Sequence, residues 1–515
     1  MKNISRIPRI LLSLTLLTTL NQCDKTPENP VLEPYAETSL DANGGTWKTY
    51  TLVDNADIPV AAPTAIGSAE YQAELADLKS KMGAATSEQK DLVKVWGGNS
   101  VLRWHEIARE MAANYNVPPN YNEDGTYPAP DANNPTVYPR FPFCNPPYAS
   151  RAFALLAVAQ HNALVTAWKA KFEYNRLAPS KFENSIQPLL PANDLPTYPS
   201  EDAVVAAASR EVLKFLFPGE KTVLDAYSTE HKNSRLWAGA NVQSDLDAGE
   251  ALGAIVAARV IAYAKTDKMG AAGNQANFPQ MRADAAARGI TTQWTSLDIP
   301  VRGPMLPFFG AVKTWNFDAA TLVAIRPAAP PAMGSAAFNR DLDELRDIAK
   351  NLTREEFRIA AYWADGAGSY TPPGHWNRKA AELIYEKRFS ELRAARTMAL
   401  VNTAMQDAGV SCWDTKYFYL LPRPTEVDPA VRTCTGIPNF PAYTSGHSTF
   451  SAAGAEVLAY VFPDKASELN AMAKEASESR VYGCIHFRFD CEVGLEVGKK
   501  VGEYAVARGR NDGAQ

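Results

Sequence analysis

Histidine and cysteine are scarce in this chain, with six of each among 515 residues. No Cys-x-x-Cys pair or His-rich tract is present, so a zinc-binding or cluster-binding module is a weak reading. An excess of basic residues is also missing: 52 Lys and Arg stand against 57 Asp and Glu, for a formal charge of −5. That balance argues against nucleic acid as a partner. Alternating strand-like patterning is absent, which leaves Ala-rich amphipathic stretches as the periodic signal. The apolar run ILLSLTLLTTL near the N-terminus is too short to span a bilayer. What remains is an ordinary globular composition, 46% hydrophobic and 21% charged, with length enough for several domains.

With Lys2, Arg6 and Arg9 before it, the apolar run reads as a signal peptide over residues 1–22, so an exported protein is expected. Losing those three cations takes the formal charge to −8. Cys23 follows in LNQC, and the segment resembles a bacterial lipoprotein signal in which that cysteine is lipidated. An ordinary cleaved signal is the alternative, so the expected location is the periplasm or an outer-membrane anchor through Cys23. Residues 23–65, rich in Pro, Asp, Asn and Thr, read as a flexible tether. Cysteines 144, 412, 434, 484 and 491 remain. Cys412 and Cys434 bracket one candidate loop, and Cys484 and Cys491 bracket His486, so a disulfide could brace either.

Helical periodicity covers about 148–174, 201–217, 244–266, 340–363, 377–408, 447–462, 465–479 and 488–508, with a capping box from Thr353 to Glu356. Two segments match at an offset of 245 residues: Tyr198 falls on Tyr443, Ser200 on Ser445, EVLKFLFP at 211–218 on EVLAYVFP at 456–463, Ser234-Arg235 on Ser479-Arg480, and Asp245 on Asp490. Trp168 and Lys171 fall on Trp413 and Lys416, while Arg176 arrives two residues early relative to Arg423. The expected fold is therefore all-α: two tandem helical bundles related by an internal duplication, at 66–268 and 339–515, joined by connecting loops at 269–338. The chemistry differs between the copies. Glu201-Asp202 stands where the second copy has Gly446-His447, and Asn241 where it has His486. The active site is expected in the C-terminal bundle, with the first copy as a structural partner.

Three clusters in that bundle carry the chemistry: Lys416 and Arg423 in KYFYLLPRP, Ser445-Gly446-His447 in FPAYTSGH, and Arg480, His486 and Asp490 in SRVYGCIHFRFD. Three cations gathered together require something multiply negative between them, and phosphate or vanadate fits. Ser445 and Gly446 open a helical run, where free amides favour an anion. His486 and Asp490, four apart, can share one face, the carboxylate orienting the imidazole.

These residues resemble the vanadium haloperoxidase and type 2 phosphatidic acid phosphatase superfamily, whose signature is KxxxxxxRP, PSGH and SRxxxxxHxxxD. RIAAYWADG at 358–366, DAGVSCWDTK at 407–416 and HFRFD at 486–490 draw the likeness towards the haloperoxidase branch. Thr444 replaces the Pro of PSGH, Pro422 precedes Arg423 where an aromatic residue is frequent, and Phe487 follows His486 where Trp is common. The resemblance implies that His486 is the apical ligand of vanadate, or the phosphorylated nucleophile of a phosphatase. Lys416, Arg423, Arg480, Ser445 and Gly446 would bind the anion's oxygens, and His447 would be the acid-base group. Asp490 would orient His486, and Asp365 would partner Arg480. Trp413 and Phe440 match positions around the halide and peroxide space, and His375 is a further candidate near the pocket.

The leading reading is a vanadate-dependent haloperoxidase-like enzyme that oxidises halide with hydrogen peroxide, iodide or bromide more readily than chloride. One alternative is an acid phosphatase acting on phosphate monoesters through a phosphohistidine, with phosphate in place of vanadate. Another is a non-catalytic, surface-tethered binding protein.

Overall fold

The structure, a computed structural model, describes residues 32–51, 58–191 and 193–514. The signal-peptide and Cys23 expectations lie outside the described residues. Among those described, every regular element is helical, and no helix is long and apolar enough to cross a membrane.

Two 29-residue helices, Pro146–Tyr174 and Glu391–Tyr419, form the centre. Asn145 caps the first by accepting from the Tyr148 N–H, and Ser390 caps the second by accepting from the Arg393 N–H. Each ends at a residue in the left-handed conformation, Asn175 or Leu420. Both helices are buried almost throughout and pack on each other, with polar residues such as Arg151, Gln160, Arg396 and Asp407 enclosed and hydrogen-bonded among the apolar ones. Glu201–Leu216, Lys221–Trp237 and Gln243–Ala264 belong to the first half; Gly446–Val461, Ala466–Tyr482 and Arg488–Arg510 belong to the second. Each of the later three, like the second central helix, begins 245 residues after its counterpart. The two halves share one apolar core, which runs through Phe153, Val205, Met398, Phe450 and Val501.

Several boundaries differ from expectation. The stretch 340–363 is two helices, Ala336–Asn351 and Arg354–Tyr362, because the Thr353 hydroxyl caps the second while Glu356 bonds back to the Thr353 amide. The stretch 377–408 is also divided: Thr371–Glu386 stops before the Ser390 cap, and the following helix runs on through Lys416.

The expected tether is packed over its described residues. Trp47 is buried beside Arg393 and Arg396, and Asp41 pairs with Arg393. The Thr38 N–H donates to the Arg388 carbonyl at 3.0 Å. Linker-like composition concealed three aromatic anchors, Tyr35, Trp47 and Tyr50.

This N-terminal segment and part of the connecting loops act as crossed straps. The Trp168 indole N–H donates to the Leu40 carbonyl and that of Trp413 to Met305. The Lys48 N–H then reaches the Asp512 carbonyl at 2.8 Å, and the Lys313 N–H reaches that of Asp267 at 3.0 Å. Each strap therefore lies on one half and is tied to the end of the other. Buried ion pairs fix both ends, Arg151–Asp267 at 2.6 Å and Arg396–Asp512 at 2.7 Å.

Glycine makes the close approach of the straps feasible. A Cβ on Gly45 would stand 2.5 Å from the Lys169 Cα, and one on Gly310 would stand 2.6 Å from the Asp414 Cα. Gly310→Ala should therefore destabilise the protein by about 1–3 kcal/mol through overpacking. Gly83→Ala, inside a helix with open space around it, should instead gain roughly 0.5–1 kcal/mol. Denaturant unfolding of the two variants checks both signs.

Candidate active site

The final turn of Glu391–Tyr419 carries Lys416, and left-handed Leu420 turns the chain so that Arg423 precedes the short helix Pro424–Val427. Arg480 comes from the last turn of Ala466–Tyr482. Ser445 caps Gly446–Val461 by accepting from the Ser448 N–H, which leaves Gly446 and His447 in the first turn. His486 stands two residues before Arg488–Arg510, and Asp490 lies in that helix's first turn.

These elements bring the three expected clusters into one buried cage. The Arg423 Nη1 donates to the His486 Nε2 at 3.0 Å and to the Ile485 carbonyl at 2.8 Å, and its Nε donates to the Phe440 carbonyl at 3.0 Å. Lys416 Nζ donates to the carbonyls of Pro441 and Ala442, each at 2.8 Å. Both cations lie over the Phe440 ring at 5.0 Å. Arg480 donates to the Ala360 carbonyl at 2.8 Å and to the Ser479 hydroxyl at 2.8 Å. Among the described residues, none of the three cations forms a direct ion pair with a carboxylate; backbone carbonyls hold them instead. The fit to an anion rests on what is left over: Arg423 Nη2 and His447 Nε2 are buried without partners.

Protonation follows from this crowding. Burial lowers Lys416 to about 7, with Arg423 adding repulsion. Burial also lowers Arg423 and Arg480 to about 10. His486 is held well below its ordinary value by burial and by Arg423 and Lys416, and His447 by burial and by Arg480. Both imidazoles are therefore neutral at pH 7. The His486 Nδ1–H donates to Asp490 Oδ2 at 3.0 Å, and the Phe487 amide donates to the same oxygen at 3.0 Å. This tautomer puts a lone pair on His486 Nε2, which accepts from Arg423 here and is the atom that an electrophile would take over from that guanidinium. Burial raises Asp490 to about 7. The backbone carbonyls of Trp363 and Ala364 near His447 favour its protonated form but do not offset burial and Arg480, and its buried, unpartnered Nε2 is a nitrogen available for proton exchange.

A cavity of about 320 Å³ opens onto the cage and is lined by His447, Arg480, His486, Asp365, Trp413 and Phe440. The Trp413 and Phe440 rings are 4.9 Å apart. Asp365, expected to partner Arg480, is bonded instead to His375, although it attracts Arg480 across the cavity. His375 stands behind Asp365, away from the lining. Met305, Asn116 and Phe143 also line the cavity; they lie in irregular segments whose contacts carry no sequence period, so pattern reading passed over them. Among the described residues, no group of three or more His, Cys, Asp or Glu is placed to hold a metal cation. One imidazole among cations suits an oxyanion.

The proposed disulfides are not formed: cysteines 144, 412, 434, 484 and 491 are all free. Cys412 turns to the Thr444 carbonyl and Cys434 to that of Tyr482, while Cys484 faces the Leu345 carbonyl.

At the matching place in the N-terminal half, carboxylates meet the cations directly. Lys171 pairs with Glu201 at 2.6 Å, Arg176 with Asp245 at 2.9 Å, and Arg235 with Asp202 at 3.5 Å. That half is internally neutralised and offers an anion little.

The family model "VCPO second helical-bundle domain" matches residues 465–511. The structure is similar to that of the first bacterial vanadium-dependent iodoperoxidase, at 24% identity and a TM-score of 0.55, over 70% of this chain and 91% of that one. The chain has the vanadium haloperoxidase fold. It is also similar to the holo and apo forms of a bacterial vanadium-dependent chloroperoxidase, at 13% and 14% identity, each with a TM-score of 0.51. Those likenesses cover 74% and 73% of this chain and 96% of each chloroperoxidase chain. No curated protein matches the chain. The stretch that the family model matches contains Arg480, His486 and Asp490 of the cage.

An anion entering the cage should raise Lys416 from about 7 back towards its ordinary 10.5. Binding of orthovanadate or inorganic phosphate at pH 8 should accordingly take up protons, measurable as a dependence of binding heat on buffer ionisation enthalpy. Lys416→Met should remove that uptake and weaken binding by about 10- to 100-fold.

Proposed function

We propose that the protein is a vanadate-dependent haloperoxidase that oxidises iodide or bromide with hydrogen peroxide. The observation that carries this reading is the His486 imidazole, its Nδ1–H fixed by Asp490 and its Nε2 turned to Arg423 in a cage without a direct ion pair among the described residues. His486 Nε2 would hold vanadate, with Lys416, Arg423, Arg480, the Ser445 hydroxyl and the Gly446 amide on its oxygens; the Ser445 amide already donates to the Asp490 carbonyl at 2.9 Å. Bound there, vanadate supplies a Lewis acid that activates peroxide towards halide.

The chain's own residues do the rest. The fixed cations need no reorganisation to stabilise negative charge as it shifts. Neutral His447 accepts a proton at Nε2 as peroxide enters and returns it as oxygen leaves. Trp413, Phe440 and Phe450 give the cavity an apolar wall where a weakly hydrated halide can stand.

The same cage would take a phosphate monoester, with His486 attacking phosphorus and His447 protonating the leaving oxygen. The haloperoxidase fold favours the first reading. Export, with a membrane anchor at Cys23, belongs to the same proposal and is supported by Lys2, Arg6, Arg9 and the apolar run that follows.

One comparison decides between the two chemistries. Metal-free protein is given orthovanadate and assayed for iodide and bromide oxidation by peroxide, alongside hydrolysis of a chromogenic phosphate ester. Vanadate should switch on halide oxidation; inhibition of ester hydrolysis without halide oxidation would establish the phosphatase. Asp490→Asn should lower vanadate affinity or turnover by about 10–100-fold, because His486 loses the partner that fixes its tautomer.

A further inference from the structure

His375 is buried and bonded through both ring nitrogens. Its Nδ1 lies 3.4 and 3.3 Å from the two Asp365 oxygens, and its Nε2 lies 3.4 Å from the Tyr362 hydroxyl. The ring is held flat against Trp363 at 4.4 Å, and the Trp363 indole N–H is itself anchored on Glu475 at 2.9 Å. At one end of this chain of groups, Asp365 lines the cavity with His447 and Arg480. At the other end, Tyr362 is 48% exposed. The backbone holds Asp365 in place at a φ of 41°, a conformation costly for a residue with a Cβ and often kept where position matters. The other titratable groups facing these residues are Arg358 from Arg354–Tyr362, Arg480 and Glu475 from Ala466–Tyr482, His447 from Gly446–Val461, Tyr370, and Arg378 from Thr371–Glu386.

The reaction proposed above has a proton requirement. Halide gives two electrons to the O–O bond of peroxide; one oxygen leaves with the halogen as hypohalous acid, the other leaves as water, and one proton is consumed. Elsewhere the cavity wall is largely apolar, with Phe143, Met305, Ile437, Pro438 and Phe440 around it, which limits delivery by bulk water.

We propose that Tyr362, His375 and Asp365 form a proton relay between solvent and the cavity, supplying the one proton consumed in each turnover. Solvent gives a proton to the Tyr362 oxygen as that hydroxyl passes its own to His375 Nε2. The imidazolium so formed releases its Nδ1 proton to Asp365, which hands it into the cavity. The ring is then left with its proton on Nε2, and the starting tautomer returns when water takes that proton and supplies one to Nδ1. Tyr362 and His375 touch no reacting atom and supply protons through Asp365. This inference rests on the haloperoxidase reading for its proton demand.

The test uses the full-length, vanadate-loaded protein as wild type, Tyr362→Phe, His375→Gln and His375→Gly, with kcat and the halide KM measured from about pH 5 to 8. Tyr362→Phe and His375→Gln should lower kcat about tenfold or more, and most steeply at high pH where free protons are scarce. The halide KM should stay within about twofold of wild type. Added imidazole should restore His375→Gly and leave His375→Gln unchanged. Profiles that superimpose on wild type, or an equal loss at every pH without rescue, would overturn the relay. A wild type that oxidises no halide would sink the functional reading instead. The relay would then be decided by stopped-flow proton uptake on mixing with orthovanadate, which slows in Tyr362→Phe and His375→Gln only if the route operates.

Discussion

Three buried cations without a direct carboxylate partner among the described residues set the terms for the C-terminal half. Charges taken from water into the interior cost several kcal/mol each unless compensated. Here the compensation comes from carbonyl dipoles of residues 440–442, 485 and 360, with the Phe440 ring beneath two of the cations. Dipoles are weaker partners than full charges, which is why Lys416 falls to about 7. The residual positive potential is what the site offers an anion. The N-terminal half solves the same problem the other way, with Glu201, Asp202 and Asp245 on Lys171, Arg235 and Arg176. Similar helices thus support one cage that can take an anion and one that is internally neutralised, and the difference lies in which partner answers each cation.

The candidate cage was legible because its side chains are polar exceptions in a helical background, at spacings tied to helix ends. Lys416, Arg423, Ser445, Arg480, His486 and Asp490 each sit at or beside a helix terminus, and capping chemistry leaves a sequence signal there. Helix class was legible for the same reason. Less legible were the breaks at Thr353 and Ser390, where periodicity continues across a cap, and the packing of residues 32–51, where composition suggests a linker and three aromatic rings decide otherwise. The resemblance pairs Asp365 with Arg480, while the geometry gives its carboxylate to His375, a contact that no sequence period signals.

The straps explain how a cage of repelling groups is kept closed. The 303–313 segment lies across the helix that carries Lys416 and presents the Met305 carbonyl to Trp413 and Tyr417. It then continues to the far half through Lys313 and Asp267. The wall of the cavity is therefore braced by residues whose own ties are distant from it. Gly310, packed against Asp414 two residues from Lys416, belongs to that brace.

The shared core has a consequence for how this chain can be divided. Every candidate anion ligand lies between residues 416 and 486, and a fragment spanning residues 339–515 would contain all of them. Such a fragment would nonetheless expose the buried flank of Glu391–Tyr419 along the whole face that Pro146–Tyr174 covers. The half whose cations are neutralised serves as the scaffold on which the other half holds its cage, so the smallest unit that keeps the cage's support is the pair.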